Sequence, residues 1–264
     1  MSQTAADQAV LLREDRDNIA YLTLNRPNQF NALSEELLDA LHSTLDAIAE
    51  DESVRVVVLA GNGRAFCAGH DLKQMRTQSE REYFQQLFDH CGQVMTRITS
   101  LPQPVIARVH GIATAAGCQL VASCDLAIAE EGSRFAVSGI NVGLFCGTPS
   151  VPLSRNVGRK QAMEMLLTGG FISAQQAAAQ GLINRAVPLE QLDEEVLKLA
   201  RTICNKSRAS IAHGKAMYYK QLEMGVEQAY QFASTAMADN MMFADVSEGI
   251  DAFTEKRPPN WQDR

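Results

Sequence analysis

Apolar and polar positions come in blocks along this chain, and the blocks change period from strand-like to helix-like and back. Residues 10–13 and 19–24 are short β-prone runs, separated by a polar turn at 14–18. Asn25-Arg26-Pro27 ends the second run. Ser34 is placed as an N-cap with Glu35 and Glu36 in the first turn, and Leu37, Leu38, Leu41, Leu45 and Ile48 follow at helical spacing. Residues 54–60 are almost continuously aliphatic, the pattern of a strand covered on both faces.

The blocks then repeat. Residues 61–69 read as a glycine-containing loop, 79–98 as a helix and 105–109 as a buried strand. A small-residue turn at 113–117 opens a helix to about 123, and 125–129 is another strand. Gly158 precedes an apolar helix through Leu167, Ser173 caps a further one through Ala179, Gly181 ends it, and 183–187 is one more short strand. Strands alternating with helices predict an α/β fold, whose right-handed crossovers bring the loops after successive strands to one edge. After Pro188 the pattern is helical until the polar tail 258–264, which reads as coil. The chain divides accordingly into a core, residues 1–190, and a C-terminal helical subdomain, residues 191–264, suited to packing on a neighbouring subunit.

Composition narrows the function classes. A chain of 264 residues, 46% of them hydrophobic, can bury a large core. No apolar run approaches the ~20 residues that span a bilayer. A net charge of −7 argues against a nucleic-acid surface. Six cysteines without metal-ligand spacing predict reduced, mostly buried thiols and no metal site. Residues 1–7 carry an acidic side chain and no basic one, unlike a secretory or transit leader, which sets a cytoplasmic expectation.

Two turns carry candidate chemistry. Ala65-Phe66-Cys67-Ala68-Gly69-His70-Asp71-Leu72 follows the strand 54–60, and Ala113-Thr114-Ala115-Ala116-Gly117-Cys118 follows the strand 105–109. Small residues let the backbone approach a ligand, and the second turn leads into a helix N-terminus with free N–H groups. Two such groups converging on one oxygen make an oxyanion hole. Small residues at strand–helix junctions also serve close packing, so the turns alone leave both roles open.

At these residues the chain resembles the crotonase (enoyl-CoA hydratase/isomerase) superfamily. Matching stretches are Asn25-Arg26-Pro27 with Asn31-Ala32-Leu33, Phe66 to Leu72, Pro104 to Ala107, Ala115 to Cys118 with Cys124-Asp125, Met165 to Gly169, Ile172 to Ala174, Gly181-Leu182 and Phe253 to Arg257. They are in order over nearly the whole chain. Residues 115–125 and 141–149 are most similar to an orphan group named for its enoyl-CoA hydratase domain.

The resemblance implies a spiral of ββα turns with a C-terminal helical trimerisation region, forming a homotrimer or a dimer of trimers. It implies an acyl-CoA thioester as substrate, coenzyme A entering as part of that substrate with no permanently bound cofactor, and a place in fatty acid metabolism. The oxyanion donors map onto the N–H groups of His70 and Ala116, with Ala68 and Gly117 beside them. The backbone of His70, Asp71, Leu72 and Lys73, and the segment containing Gln29, Phe30 and Ala32, match the region that holds pantetheine and adenine. Phe253 and Lys256 match residues that reach the nucleotide from an adjacent subunit, although Lys256 also fits an ordinary solvated charge.

Hydratases of the family use two glutamates, one to protonate and one to activate water. The resemblance places Gln119 and Gly139 at those positions, and Gly147 at a third carboxylate position used by dienoyl-CoA isomerases. An amide is no general base, so hydration by the usual route is expected to be weak or absent. Ser138, Asn141, Cys146 and Thr148 lie near the blank positions as polar or nucleophilic candidates. The ring of His70 is a further proton donor candidate poised near neutral pH, Asp71 is expected to cap its loop, and His90 to sit on a helix surface. Residues around Met75 and Phe84 are expected to wall the acyl pocket. A malonyl-type decarboxylase and a non-catalytic CoA-binding protein are the alternatives.

Overall fold

The computed structural model describes residues 9–264. β1 (Leu11–Arg16) and β2 (Ile19–Leu24) form a hairpin closed by Asp17 and Asn18, both at positive φ. The expected turn at 14–18 therefore shrinks to two residues. Residues 13–16 are exposed on an edge strand, so they carry no apolar signal. From β2 the sheet continues in parallel through β3 (Val56–Gly61), β4 (Val105–Val109), β6 (Leu126–Glu130) and β9 (Arg185–Val187), in the order β1-β2-β3-β4-β6-β9. A second sheet holds β5 (Ile112–Thr114), β7 (Arg134–Ala136) and β8 (Ile172–Ser173).

The chain climbs between these sheets as a spiral of ββα turns. β3 leads to Cys67, which bridges Ala113 of β5, and then to α2 (Leu72–Arg76) and α3 (Arg81–Ser100). β4 leads to β5 and α4 (Ala116–Ser123). β6 leads to β7, α5 (Gly147–Asn156) and α6 (Arg159–Thr168), and then β8, α7 (Ala174–Gln180) and β9 close the core. This is the α/β architecture that the sequence predicts.

Both faces of the large sheet are covered, which explains the aliphatic run through β3. On one face lie α3 and α1 (Glu35–Ala49), which Ser34 caps and which buries Leu37, Leu38, Leu41, Leu45 and Ile48. On the other, Ile19, Val56, Val58, Ile106 and Ile128 meet Leu192, Val196 and Ala200 of α8 (Leu189–Cys204). α8 thus covers the sheet, and the helices that stand away from it are α9 (Arg208–Gln221), α10 (Val226–Met241) and α11 (Ala244–Glu255).

Polar groups fasten these outer helices. Lys215 of α9 donates to the carbonyls of Ile98 and Gln103 and to Asp125, at 2.6–3.0 Å, while Tyr219 donates to the other Asp125 oxygen at 2.8 Å. The tail 258–264 has no regular secondary structure but is pinned. Buried Asp245 accepts from the N–H groups of Gln262 and Asp263, and Arg55 pairs with Asp263 at 2.8 Å. All six cysteines are free, five of them buried.

Candidate active site

β3 and β4 are parallel neighbours, so the loops that follow them leave the sheet side by side. They are zipped together: Phe66 N–H donates to the His110 carbonyl, Cys67 N–H to Ile112, and Thr114 N–H back to Cys67, at 3.0–3.1 Å. Gly117 then passes so close that a Cβ there would stand 2.1 Å from the Cys67 carbonyl oxygen. Gly69, at φ +90°, brings the first loop against the second, where a Cβ would lie 3.1 Å from the Ala116 nitrogen. The glycines set the closeness of the two turns.

His70 sits in this junction. Leu33 N–H donates to the Gly69 carbonyl at 2.7 Å, and Asp71 N–H donates to the Leu33 carbonyl at 3.1 Å, so the backbone on both sides of His70 is engaged by Leu33. In such a bridge the N–H of the central residue points away from the partner strand. Ala116 is the first residue of α4, where a helix leaves its N–H without an internal partner. Neither N–H makes a hydrogen bond among the described residues. Ala115 between them is held at φ 51°, ψ −121°, a strained conformation for a residue with a Cβ, with its N–H on the Ala136 carbonyl at 2.9 Å.

A cavity of about 300 Å³ opens at this point, and Ala68, His70, Leu72, Ala115 and Ala116 form one wall. Met75 and Phe88 form another, and Ser138, Gly139, Val142 and the segment 144–149 contribute the far side. Met75 is where the sequence predicts it, but Phe84 is replaced by Phe88, one helical turn later on the same face. Among the described residues the lining holds no Asp, Glu, Lys or Arg. Burial lowers the His70 pKa to about 4, only partly offset by the nearby Leu33 backbone. The ring is therefore neutral at pH 7, which corrects the expectation of a histidine poised near neutrality.

Comparison with known proteins identifies the lineage. The profile of the Enoyl-CoA hydratase/isomerase family matches residues 14–264. The chain belongs to the enoyl-CoA hydratase/isomerase family. It is 48% identical, over 93% of its length and 82% of the relative's, to the mitochondrial enoyl-CoA hydratase domain-containing protein 3 of Rattus norvegicus. Solved structures of an enoyl-CoA hydratase from Mycobacterium smegmatis (58% identity, TM-score 0.94, covering 96% of this chain and 98% of that one) and of human enoyl-CoA hydratase domain-containing protein 3 (45%, 0.93, 96% and 100%) share its fold. The cytoplasmic expectation is overturned by these relatives: the rat, mouse and human proteins are each named mitochondrial.

The positions assigned to family carboxylates are filled in three different ways. Gln119 is buried at 3% exposure outside the cavity lining, and its Oε1 has no partner among the described residues. Gly139 has no room for a side chain: a Cβ would stand 2.5 Å from the Leu144 carbonyl oxygen and 2.7 Å from Cys146 Sγ. Its N–H donates to that sulfur at 3.2 Å, and burial pushes the Cys146 thiol pKa up, against the opposing effect of this bond. Gly147 lines the cavity with open space where a Cβ would be. Ser138 and Thr148 also line it, the Ser138 hydroxyl lying 2.8 Å from that of Thr114. Asn141 does not reach it and donates instead to the Gly169 carbonyl at 3.3 Å.

Of the remaining family-derived positions, Asp71 caps α2 through the N–H groups of Lys73 and Gln74, as expected. Burial raises its pKa, but the ion pair with Arg26 at 2.9 Å and the two cap bonds bring it below the ordinary value. Gln29 and Phe30 lie on an exposed 3-10 turn beside the first loop, with Ala68 N–H bonded to the Phe30 carbonyl and Ala32 buried behind. Lys73 is exposed on α2. Phe253 and Lys256 end α11 away from this cavity, outside its lining. His90 sits between α1 and α3 beside His42 and Asp39.

Two residues quoted only as motif letters prove to build the site. Fully buried Asn31, at positive φ, donates to the carbonyls of Asn62 and Ala65 and accepts from Arg26 N–H, bracing its own loop and tying it to the loop after β3. Arg26 ties the Ala32 carbonyl to Asp71. Both sit in turns without periodicity, so only the motif itself signalled them.

Proposed function

We propose that this chain binds an acyl-CoA thioester with an uncharged acyl group in the cavity and places the thioester oxygen on the N–H groups of His70 and Ala116. The observation that carries the reading is this pair of unpartnered N–H groups, fixed beside each other by Gly69 and Gly117 at the mouth of an apolar cavity. Hydrogen bonds from both donors strengthen as the carbonyl gains negative charge, so the pair favours an enolate over the neutral thioester. Coenzyme A takes part as the carrier portion of the substrate, along Gln29, Phe30 and the His70-to-Lys73 backbone. Residues 191–264 supply self-association as a trimer or a dimer of trimers, in which Phe253 and Lys256 reach the nucleotide of an adjacent subunit.

Hydration is weak in this reading because neither Gln119 nor Gly139 exchanges a proton near neutral pH. Losing one acid/base group costs roughly 10²–10⁴ in rate. A malonyl-type substrate is disfavoured by the same cavity, since its carboxylate meets no cation in the lining. The test is incubation of pure protein with crotonyl-, butyryl- and malonyl-CoA, followed by mass spectrometry and calorimetry. Binding of crotonyl- and butyryl-CoA with slow or no hydration supports the reading. Rapid hydration abolished by Gln119→Ala, or conversion of malonyl-CoA to acetyl-CoA, overturns it.

A further inference from the structure

We infer that the cavity selects medium-chain acyl groups, about eight to ten carbons long, and that Gly147 sets this length by leaving its part of the wall open. The inference rests on the thioester reading above and deepens it by giving the acyl group a length.

The space is larger than a short acyl group needs. The cavity has a volume of about 300 Å³, and a water molecule takes up roughly 30 Å³ in the liquid. A methylene group is of similar size, so the cavity accommodates roughly ten non-hydrogen atoms. A butyryl group fills less than half of that and leaves the rest to water.

The walls suit an alkyl chain. Met75 and Phe88 on one side, and Val142, Leu144 and Phe145 on the other, offer hydrocarbon and thioether surface. Val142, Leu144 and Phe145 are also 65%, 43% and 46% exposed, and apolar side chains grouped around a cavity in this way mark a surface that a ligand covers. Nothing here calls for a charged or polar substituent at the end of the chain. The lining holds no charged side chain among the described residues, Ser138 shares its hydroxyl with Thr114, and Cys146 accepts from Gly139 N–H. Each methylene buried against such walls is worth about fourfold in affinity.

Gly147 has no steric reason to be glycine. It is not among the glycines at positive φ, and a Cβ there would meet nothing within 4 Å. Gly139 on the same side of the cavity is the opposite case, with the Leu144 carbonyl oxygen 2.5 Å from its Cβ position. What the missing side chain at Gly147 provides is room in the cavity it lines.

Calorimetric titration of wild type, Gly147→Leu and Phe145→Ser with butyryl-, octanoyl-, decanoyl- and dodecanoyl-CoA, all below their micelle concentrations, tests this. Wild type is expected to bind octanoyl-CoA about tenfold or more tighter than butyryl-CoA, with the gain ending at decanoyl-CoA, where the cavity is full. Gly147→Leu should remove most of the octanoyl advantage. Phe145→Ser, a change at an exposed side chain that the fold does not depend on, should weaken octanoyl-CoA more than butyryl-CoA. Equal binding of butyryl- and octanoyl-CoA by wild type, or an affinity that climbs undiminished through dodecanoyl-CoA, overturns the inference and leaves the thioester reading intact. So does an octanoyl preference that survives unchanged in Gly147→Leu, or a Phe145→Ser loss equal for both ligands. No binding of any thioester by wild type overturns both.

Discussion

The environment of single side chains decides what this pocket can do. His70 has an ordinary pKa of 6.5 that burial lowers to about 4. Its folded value lies below its unfolded one, so between these values the unfolded chain binds a proton that the native protein refuses. Stability is therefore expected to fall as pH drops from about 6.5 to about 4, by on the order of 3 kcal/mol from this group. His70→Phe should flatten that part of the curve, read by urea denaturation across pH; an unchanged slope would show that the ring is not buried neutral. Gly139 makes a different prediction. A methyl group there collides with the Leu144 carbonyl, so Gly139→Ala should cost roughly 1–3 kcal/mol, by the same measurement. Gly139→Glu is expected to yield no hydratase, because the loop 143–147 occupies the space that the carboxylate needs.

Among the elements, the fastening of α9 to the core rests on Asp125. Lys215 and Asp125 are both nearly buried, and the carboxylate also takes the Val105 N–H at 2.7 Å. Removing one partner leaves an uncompensated buried charge, so Asp125→Ala should lose about 3–5 kcal/mol, seen as a lower urea midpoint. A loss under 1 kcal/mol would show that the outer helices hold by apolar contact alone. The long elements were legible in the sequence because each buries a full stripe or face: α1 through its leucines, β3 and β4 through continuous aliphatic runs. Five-residue α2 and the strands β5, β7 and β8, two or three residues each, are too short to display a period. They arise from tertiary pairing, such as Cys67 with Ala113, that no local pattern announces. The same limit explains the pocket wall: helical spacing placed an aromatic residue on α3, but its phase relative to the cavity, which selects Phe88 over Phe84, depends on how α3 packs. The two N–H donors were legible only through their motif, since backbone direction leaves no trace in composition.

The molecule as a whole places the proposed acyl site in the core and leaves a broad apolar surface on the outer helices. Met242 and Phe253 are 84% and 86% exposed, and Val226, Tyr230 and Met237 are exposed with them. Such a surface fits the self-association proposed above, and sedimentation equilibrium should return a mass of three or six chains; a monomer at micromolar concentration would contradict it. The account turns on polarisation of one carbonyl, and isotope-edited infrared spectroscopy of bound [1-¹³C]butyryl-CoA reads that directly. Two N–H donors on the oxygen should move the thioester carbonyl stretch to lower frequency than in water. A stretch at higher frequency, as in an apolar cavity without donors, would contradict the roles given to His70 and Ala116.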